Sequence, residues 1–207
     1  MIERPVSAHR PRIVALGGNA TAGGSAERLL QHALARCEAH GADGVLFAGE
    51  AIDLPLYAPH RSERCSRAQA LLEALRYADG IIVASPAYHG TVSGVVKNAL
   101  DYVQDLVSDA QPYFDGRAVG LIAVAGGWQA AGSTLATLRS ITHALRGWPT
   151  PLGVTANSSQ LLFDSDGALA DDGIGMQLDI LALQVVSFAR MKAAHALAAQ
   201  NFSLAAQ

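Results

Sequence analysis

Three short stretches carry the residue types that could handle a ligand. GGNATAGGS (Gly17 to Ser25) joins four glycines to hydroxyls and runs into a helical pattern. Glycine lets a backbone turn its N–H groups inward, and a helix start adds partial positive charge, so this is the chemistry of an anion cradle. Ser25 is placed as an N-cap for that helix. An ordinary glycine-rich turn with a serine cap fits the same residues. PAYHGT (Pro86 to Thr91) follows the apolar run GIIVAS. Pro86 withholds an N–H and ends the strand, Tyr88 can stack on a flat ring, and His89 can donate to a carbonyl. Each also reads as a plain turn residue. In GGWQAAGS (Gly126 to Ser133), Gly126 and Gly127 admit a flat group to the backbone, with Trp128 over its edge or covering the core.

The elements that must position these stretches alternate between short apolar runs and helical patterns. Strands are expected at Arg12 to Gly18, Asp43 to Gly49, Gly80 to Ser85, Ala118 to Gly127 and Pro151 to Thr155. Helices are expected at Ser25 to His40, Arg61 to Tyr77, Ser93 to Val107, Ser133 to Leu145 and Gly175 to Ala199. The strand runs are continuously apolar, the mark of a parallel sheet covered on both faces. The expected fold is therefore α/β: a flavodoxin-like, doubly wound, five-stranded parallel sheet in the order 2-1-3-4-5. That fold places ligands beyond the carboxyl ends of the strands at the switch point, and the three stretches follow strands one, three and four.

Composition narrows the partners. Half of the 207 residues are apolar and 16% are charged, enough for a sizeable core. The formal net charge of −3 and scattered Lys and Arg argue against nucleic acid. Cys37 and Cys65 have no metal-type spacing and form no disulfide framework, which points to the cytoplasm. Cys37 falls on the apolar face of its helix and reads as packing. No apolar run reaches the length of a membrane span, and the start lacks a signal-peptide pattern. Residues 1–11 read as a flexible tail, 12–200 as one domain and 201–207 as a second tail. There is no Lys-Ser/Thr after the first glycines and no GxGxxG there, which sets aside Walker and classical dinucleotide sites.

Ser85, Pro86, Ala87, Tyr88, His89, Gly94, Lys97, Asn98 and Asp101 stand at a specific spacing. It resembles the NADPH-dependent FMN reductase family, whose pattern here is Thr or Ser, Pro, any residue, Tyr and a polar residue, then Gly-x-x-Lys-Asn-x-x-Asp. DLPLY (Asp53 to Tyr57) and Gly126-Gly127 followed by Leu138-Arg139 match as well, and the likeness covers about residues 12 to 155. The first loop departs: the family's Gly-Ser-x-Arg-x-x-Ser is replaced by Gly17, Gly18, Asn19 and Ala20, and no arginine lies between Arg12 and Arg28.

The resemblance implies an FMN-dependent NAD(P)H oxidoreductase. Hydride would pass from NADPH or NADH to flavin N5, then to free flavin, a quinone or another small acceptor. It implies FMN at Gly18, Asn19, Thr21, Ser25, Ala26, Pro86, Ala87, Tyr88, His89, Gly126 and Gly127, with the phosphate on backbone N–H groups, Asn19, Thr21, Ser25 and the helix end. It names no catalytic side chain and no metal. A homodimer or homotetramer is implied, with the helix carrying Tyr102 at a subunit contact, and a flavin-dependent monooxygenase is among the recipients the resemblance implies. Lys97 and Asp101 read as an i,i+4 surface pair. Two other readings share the fold: a flavodoxin-type electron carrier, and a binding protein without redox chemistry.

Overall fold

The computed structural model describes residues 10–205, so the expected N-terminal tail falls mostly outside the described residues. The apolar runs form a parallel sheet. β1 (Arg12–Gly17) pairs on one side with β2 (Asp43–Phe47) and on the other with β3 (Gly80–Tyr88). β3 pairs with β5 (Ala118–Ala125). A two-residue antiparallel strand, β4 (Thr91–Val92), folds back on the end of β3. The single fifth strand expected around Pro151 is two short strands in tandem. β6 (Trp148–Pro149) pairs with the start of β5, and β7 (Val154–Asn157) with its end. The expected order holds in outline, as β2-β1-β3-β5 with β6 and β7 sharing the last edge; the expected count of five does not.

Helices cover both faces, as continuously apolar strands require. α1 (Ser25–Ala39) and α5 (Asp172–Ala205) pack on one face with Leu29, Leu30, Ala33, Leu178, Leu181 and Val185 buried. α2 (Ser66–Arg76), α3 (Gly94–Asp101) and α4 (Trp128–Ala144) supply Leu71, Leu75, Val96, Leu100 and Leu138 to the other. Cys37 is fully buried among the first set, and burial pushes its thiol up to about 12.

Four boundaries differ from the sequence reading. β3 does not stop at Pro86. Pro86 pairs in register with Val124, and the strand continues to Tyr88 before a two-residue turn at His89 and Gly90. Both turn residues have positive φ (52° and 83°), as a tight primed hairpin needs. α2 begins at Ser66 and not Arg61, because 53–65 is held as a loop: Arg64 donates to the carbonyls of Ala58 and Arg61 and pairs with Asp105. α4 begins at Trp128, five residues before Ser133. Gly132-Ser133 looks like a helix start, but the Ser133 hydroxyl donates to the carbonyls of Gly90 and Ala130 from within the helix. α3 gives way at Tyr102 to a 3-10 turn (Tyr102–Leu106).

α5 runs to Ala205, past residue 200 where a tail was expected. Its stretch Asp172–Ala199 also corrects the expectation about membrane spans. It is 28 residues long, and an 18-residue window within it reaches a mean hydropathy of 1.3, long and apolar enough to cross a bilayer. In the fold, much of that apolarity is used on the sheet, where Leu178, Leu181, Ala182, Val185, Val186 and Ala189 are buried at helical spacing.

Candidate active site

The three glycine- and proline-marked stretches meet at the carboxyl ends of β1, β3 and β5. A cavity of about 260 Å3 opens there, lined by Asn19, Ser25 and Ala26 from the first stretch, Pro86, Ala87 and Tyr88 from the second, and Gly126 from the third. Val124, Ala125 and Ser158 complete it. Larger hollows of about 360 and 590 Å3 lie beside His32, Arg36 and Asp179 and around Ser62 to Gln69. None of their lining residues comes from the three stretches.

The first stretch reaches the cavity because β1 ends tightly. Gly17 (φ 152°) lies so close to β3 that a Cβ there would stand 1.9 Å from the Ala84 carbonyl oxygen. The Gly18 N–H donates to that same carbonyl at 3.0 Å. Gly18 is therefore buried and its N–H is spent on the sheet; it does not line the cavity. The N-cap of α1 is Gly24, without a side-chain cap bond, so Ser25 is the first helical residue and not the cap. Ser25 and Ala26 thereby sit where helix N–H groups have no intrahelical acceptor. Glu27 instead braces the loop just ahead of the helix. This buried carboxylate accepts from the Gly23 N–H at 2.9 Å and from Gln31 Nε2 at 3.2 Å. Thr21 is exposed on the outer part of the loop and does not line the cavity.

The second stretch is a braced hairpin. The buried Ser85 hydroxyl accepts from the Ser93 N–H at 3.0 Å and donates to the Pro86 carbonyl at 2.8 Å. Ser93 in turn caps α3 by accepting from the Val96 N–H at 3.3 Å. Ser133 of α4 donates to the Gly90 carbonyl at 2.6 Å, tying the hairpin tip to the neighbouring helix. Tyr88 is half exposed, and its phenol donates to Asn19 Oδ1 at 3.1 Å. His89 is exposed at the tip and is not among the lining residues.

The third stretch is shorter than its sequence suggests, since only Gly126 and Gly127 precede α4. Gly126 lines the cavity and its carbonyl accepts from the Ser159 hydroxyl at 2.9 Å. Gly127 lies beside it in extended backbone (φ −156°), with nothing within 4 Å of a built Cβ. Trp128 is about half exposed at the helix start and does not cover the core. Ser158 was not foreseen; its N–H donates to the Ala125 carbonyl at 2.7 Å, which places it at the end of β5. No motif marks it, since it enters through the pairing of β7 with β5.

Chemically, the described lining has backbone groups, two hydroxyl-bearing serines, an amide and a phenol. It has no carboxylate, amine, imidazole or thiol. Such a wall can bind and orient a planar molecule but cannot supply a general acid or base beyond the Tyr88 phenol. Lys97 and Asp101 form the surface pair expected of them, at 2.6 Å. Asn98 braces the neighbouring loop. It accepts from the Tyr57 N–H at 2.8 Å and donates to the carbonyls of Leu54 and Pro55. Tyr102, in the segment expected to form the helix at a subunit contact, is itself buried within the chain and donates to the Pro55 carbonyl at 2.9 Å.

Residues 11–160 match the model of the family described as NADPH-dependent FMN reductase. The chain is 33% identical over 120 residues to an FMN-dependent NADPH-azoreductase of Staphylococcus aureus, an alignment covering 57% of this chain and 60% of that protein. Among solved structures, it is similar to the apo form of the NADH:FMN oxidoreductase EMOB (TM-score 0.65, 22% identity, covering 84% of this chain and 90% of that one). It is also similar to FerB from Paracoccus denitrificans, a flavoenzyme NAD(P)H:acceptor oxidoreductase (TM-score 0.69, 16% identity, 87% and 98%). At these identities the structural likeness speaks for the fold.

Proposed function

Because the chain belongs to the NADPH-dependent FMN reductase family, we propose that it is an NAD(P)H-dependent FMN oxidoreductase. Its acceptor would be free flavin, a quinone or another small oxidant. The observation that carries this reading is the cavity at the sheet's carboxyl edge. Residues from three separate stretches converge there on a wall of glycine, proline and backbone groups.

The residues present fit a flavin. Gly127 and Gly126 leave an open face, since Cβ atoms built on them meet nothing closer than 3.5 Å. Pro86 and Ala87 offer a flat backbone rim opposite, stiffened by the Ser85 and Ser93 bonds behind it. The free N–H groups at the start of α1 suit a phosphate. We assign Asn19, Ser25 and Ala26 to the ribityl and phosphate end, and Pro86, Ala87, Tyr88, Gly126 and Gly127 to the ring. When bound, FMN supplies hydride acceptance from the nicotinamide and onward electron delivery, so the protein needs no acid–base side chain for the transfer. The chain's own part is positional. The hairpin rim fixes the plane of the ring, Gly127 keeps one edge open, and the Tyr88 phenol bridges the first two stretches at the mouth.

Self-association is a further part of the proposal. Leu56 is 81% exposed and lines, with Val95, Asp53 and Asn98, a groove at the start of α3 that suits a subunit contact. Free Cys37 and Cys65 fit a reducing, cytoplasmic setting.

The test is to add FMN to purified protein and follow NADPH and NADH oxidation with quinone, azo and free-flavin acceptors. Flavin-dependent oxidation of either nucleotide supports the reading. Flavin binding without oxidation of either would instead favour an electron carrier.

A further inference from the structure

A phosphate site at a helix start draws on the local charge balance as well as on free N–H groups. Here that balance is unusual. The acidic residue nearest the loop, Glu27, is 7% exposed and holds the Gly23 N–H from inside the same turn. It directly follows Ser25 and Ala26, which line the cavity. A Cβ built on Gly18 would lie 3.1 Å from Glu27 Cβ, so the side chain is wedged under the loop. The first basic residue after the loop, Arg28, is turned away. Its guanidinium donates to the Gly167 carbonyl at 2.8 Å and stacks 3.6 Å from the centre of the Phe163 ring. No Lys or Arg lines the cavity.

Resting on the flavin reading of this cavity, we infer that Glu27 sets its ligand preference by charge. The carboxylate offsets the attraction of the helix start for a phosphate dianion. The protein therefore distinguishes FMN only weakly from uncharged riboflavin. The same carboxylate shapes the loop through Gly23, but shape acts on both flavins alike, whereas charge acts only on the phosphorylated one.

The experiment compares FMN and riboflavin affinities of wild-type protein and Glu27→Gln by titration at low salt. Glutamine retains an oxygen to accept from Gly23 while removing the charge. In the wild type, FMN should bind no more than about tenfold tighter than riboflavin, and in Glu27→Gln FMN should tighten by on the order of tenfold with riboflavin within about twofold. Added salt should narrow the gap between the two proteins for FMN alone. A wild-type preference for FMN of about a hundredfold or more would overturn the inference without reference to any variant. So would a variant that shifts both flavins equally or neither. Failure of the wild type to bind either flavin would overturn the flavin reading, and this inference with it.

Discussion

The Tyr88 phenol donates to Asn19 Oδ1 at 3.1 Å, so the last residue of β3 is latched to the loop that leaves β1. Both residues line the cavity, and no other side-chain bond joins these two stretches among the described residues. The bond is exposed, which limits its worth to stability to about 0.5–1 kcal/mol. Tyr88→Phe should lower the melting temperature by no more than about 1–4 °C. It should weaken FMN binding by about two- to fivefold, because the first loop loses its tie to the ring's rim. Unchanged affinity by fluorescence titration would mean the latch does not order the site.

Gly127→Val separates folding from binding. Its extended backbone admits any residue, and a Cβ there meets nothing within 4 Å. The variant should fold with wild-type stability and lose FMN affinity by about tenfold or more, since the branched side chain occupies the ring's edge. Intact flavin binding, judged by titration alongside a melting curve, would move the ring away from the third stretch.

Gly17→Ala should do the reverse and fail at the fold. The new methyl would stand 1.9 Å from the Ala84 carbonyl oxygen, which is sheet backbone and has nowhere to go. A loss of about 3 kcal/mol or more is expected in urea unfolding, with the midpoint lowered and the slope kept. A near-neutral result would mean that β1 and β3 part more easily than their register implies.

Much of this was legible in the sequence because it rests on local chemistry. Continuous apolar runs fix the strands and their burial, and glycine and proline mark where the chain leaves the sheet. Asn19, Ser25, Ala26, Pro86, Ala87, Tyr88 and Gly126 reach the cavity as their motifs suggest. What was not legible depends on partners distant in the chain. Pro86 stays in its strand because β5 runs alongside it as far as Val124. Ser133 sits inside a helix, where the helix was expected to start, and its hydroxyl is taken up by the Gly90 carbonyl. Ser158 arrives through β7, and Gly24 stands at the N-cap expected of Ser25 while Glu27 braces the loop through Gly23.

Arg117 is another residue that sequence patterning passes over. It is 1% exposed and its guanidinium donates to the carbonyls of Ala78, Tyr113 and Arg76, joining the end of α2 and the approach to β3 to the segment before β5. Burial lowers its pKa. Arg117→Met should destabilise the fold by roughly 2–4 kcal/mol, because three carbonyls lose their donor together. Chemical denaturation measures this directly; a loss below about 0.5 kcal/mol would show that water replaces the guanidinium at no cost.

The loop of 53–65 is held by Arg64, which meets Asp105 at 2.5 Å and lies over the rings of Tyr57 and Tyr102. The Arg64 guanidinium, ahead of the opposing effect of burial, holds the Asp105 carboxyl below its ordinary 3.8. A folded pKa below the unfolded one adds stability that is fully present above the unfolded value and is lost as pH falls through the folded value. Acid unfolding of the wild type should therefore steepen below about pH 4, and Asp105→Asn should lose stability at neutral pH while flattening that acid limb. Parallel acid limbs in the two proteins would remove Asp105 from the account.

On the reading proposed above, the cavity at the ends of β1, β3 and β5 holds FMN where a nicotinamide can reduce it. The most direct measurement is anaerobic mixing of the FMN-loaded protein with NADPH, and separately with NADH, while the visible flavin absorbance is followed. Bleaching should be rapid with at least one nucleotide, and slow in Gly127→Val at equal total flavin. Flavin that binds and stays oxidised in the presence of both nucleotides would contradict that reading.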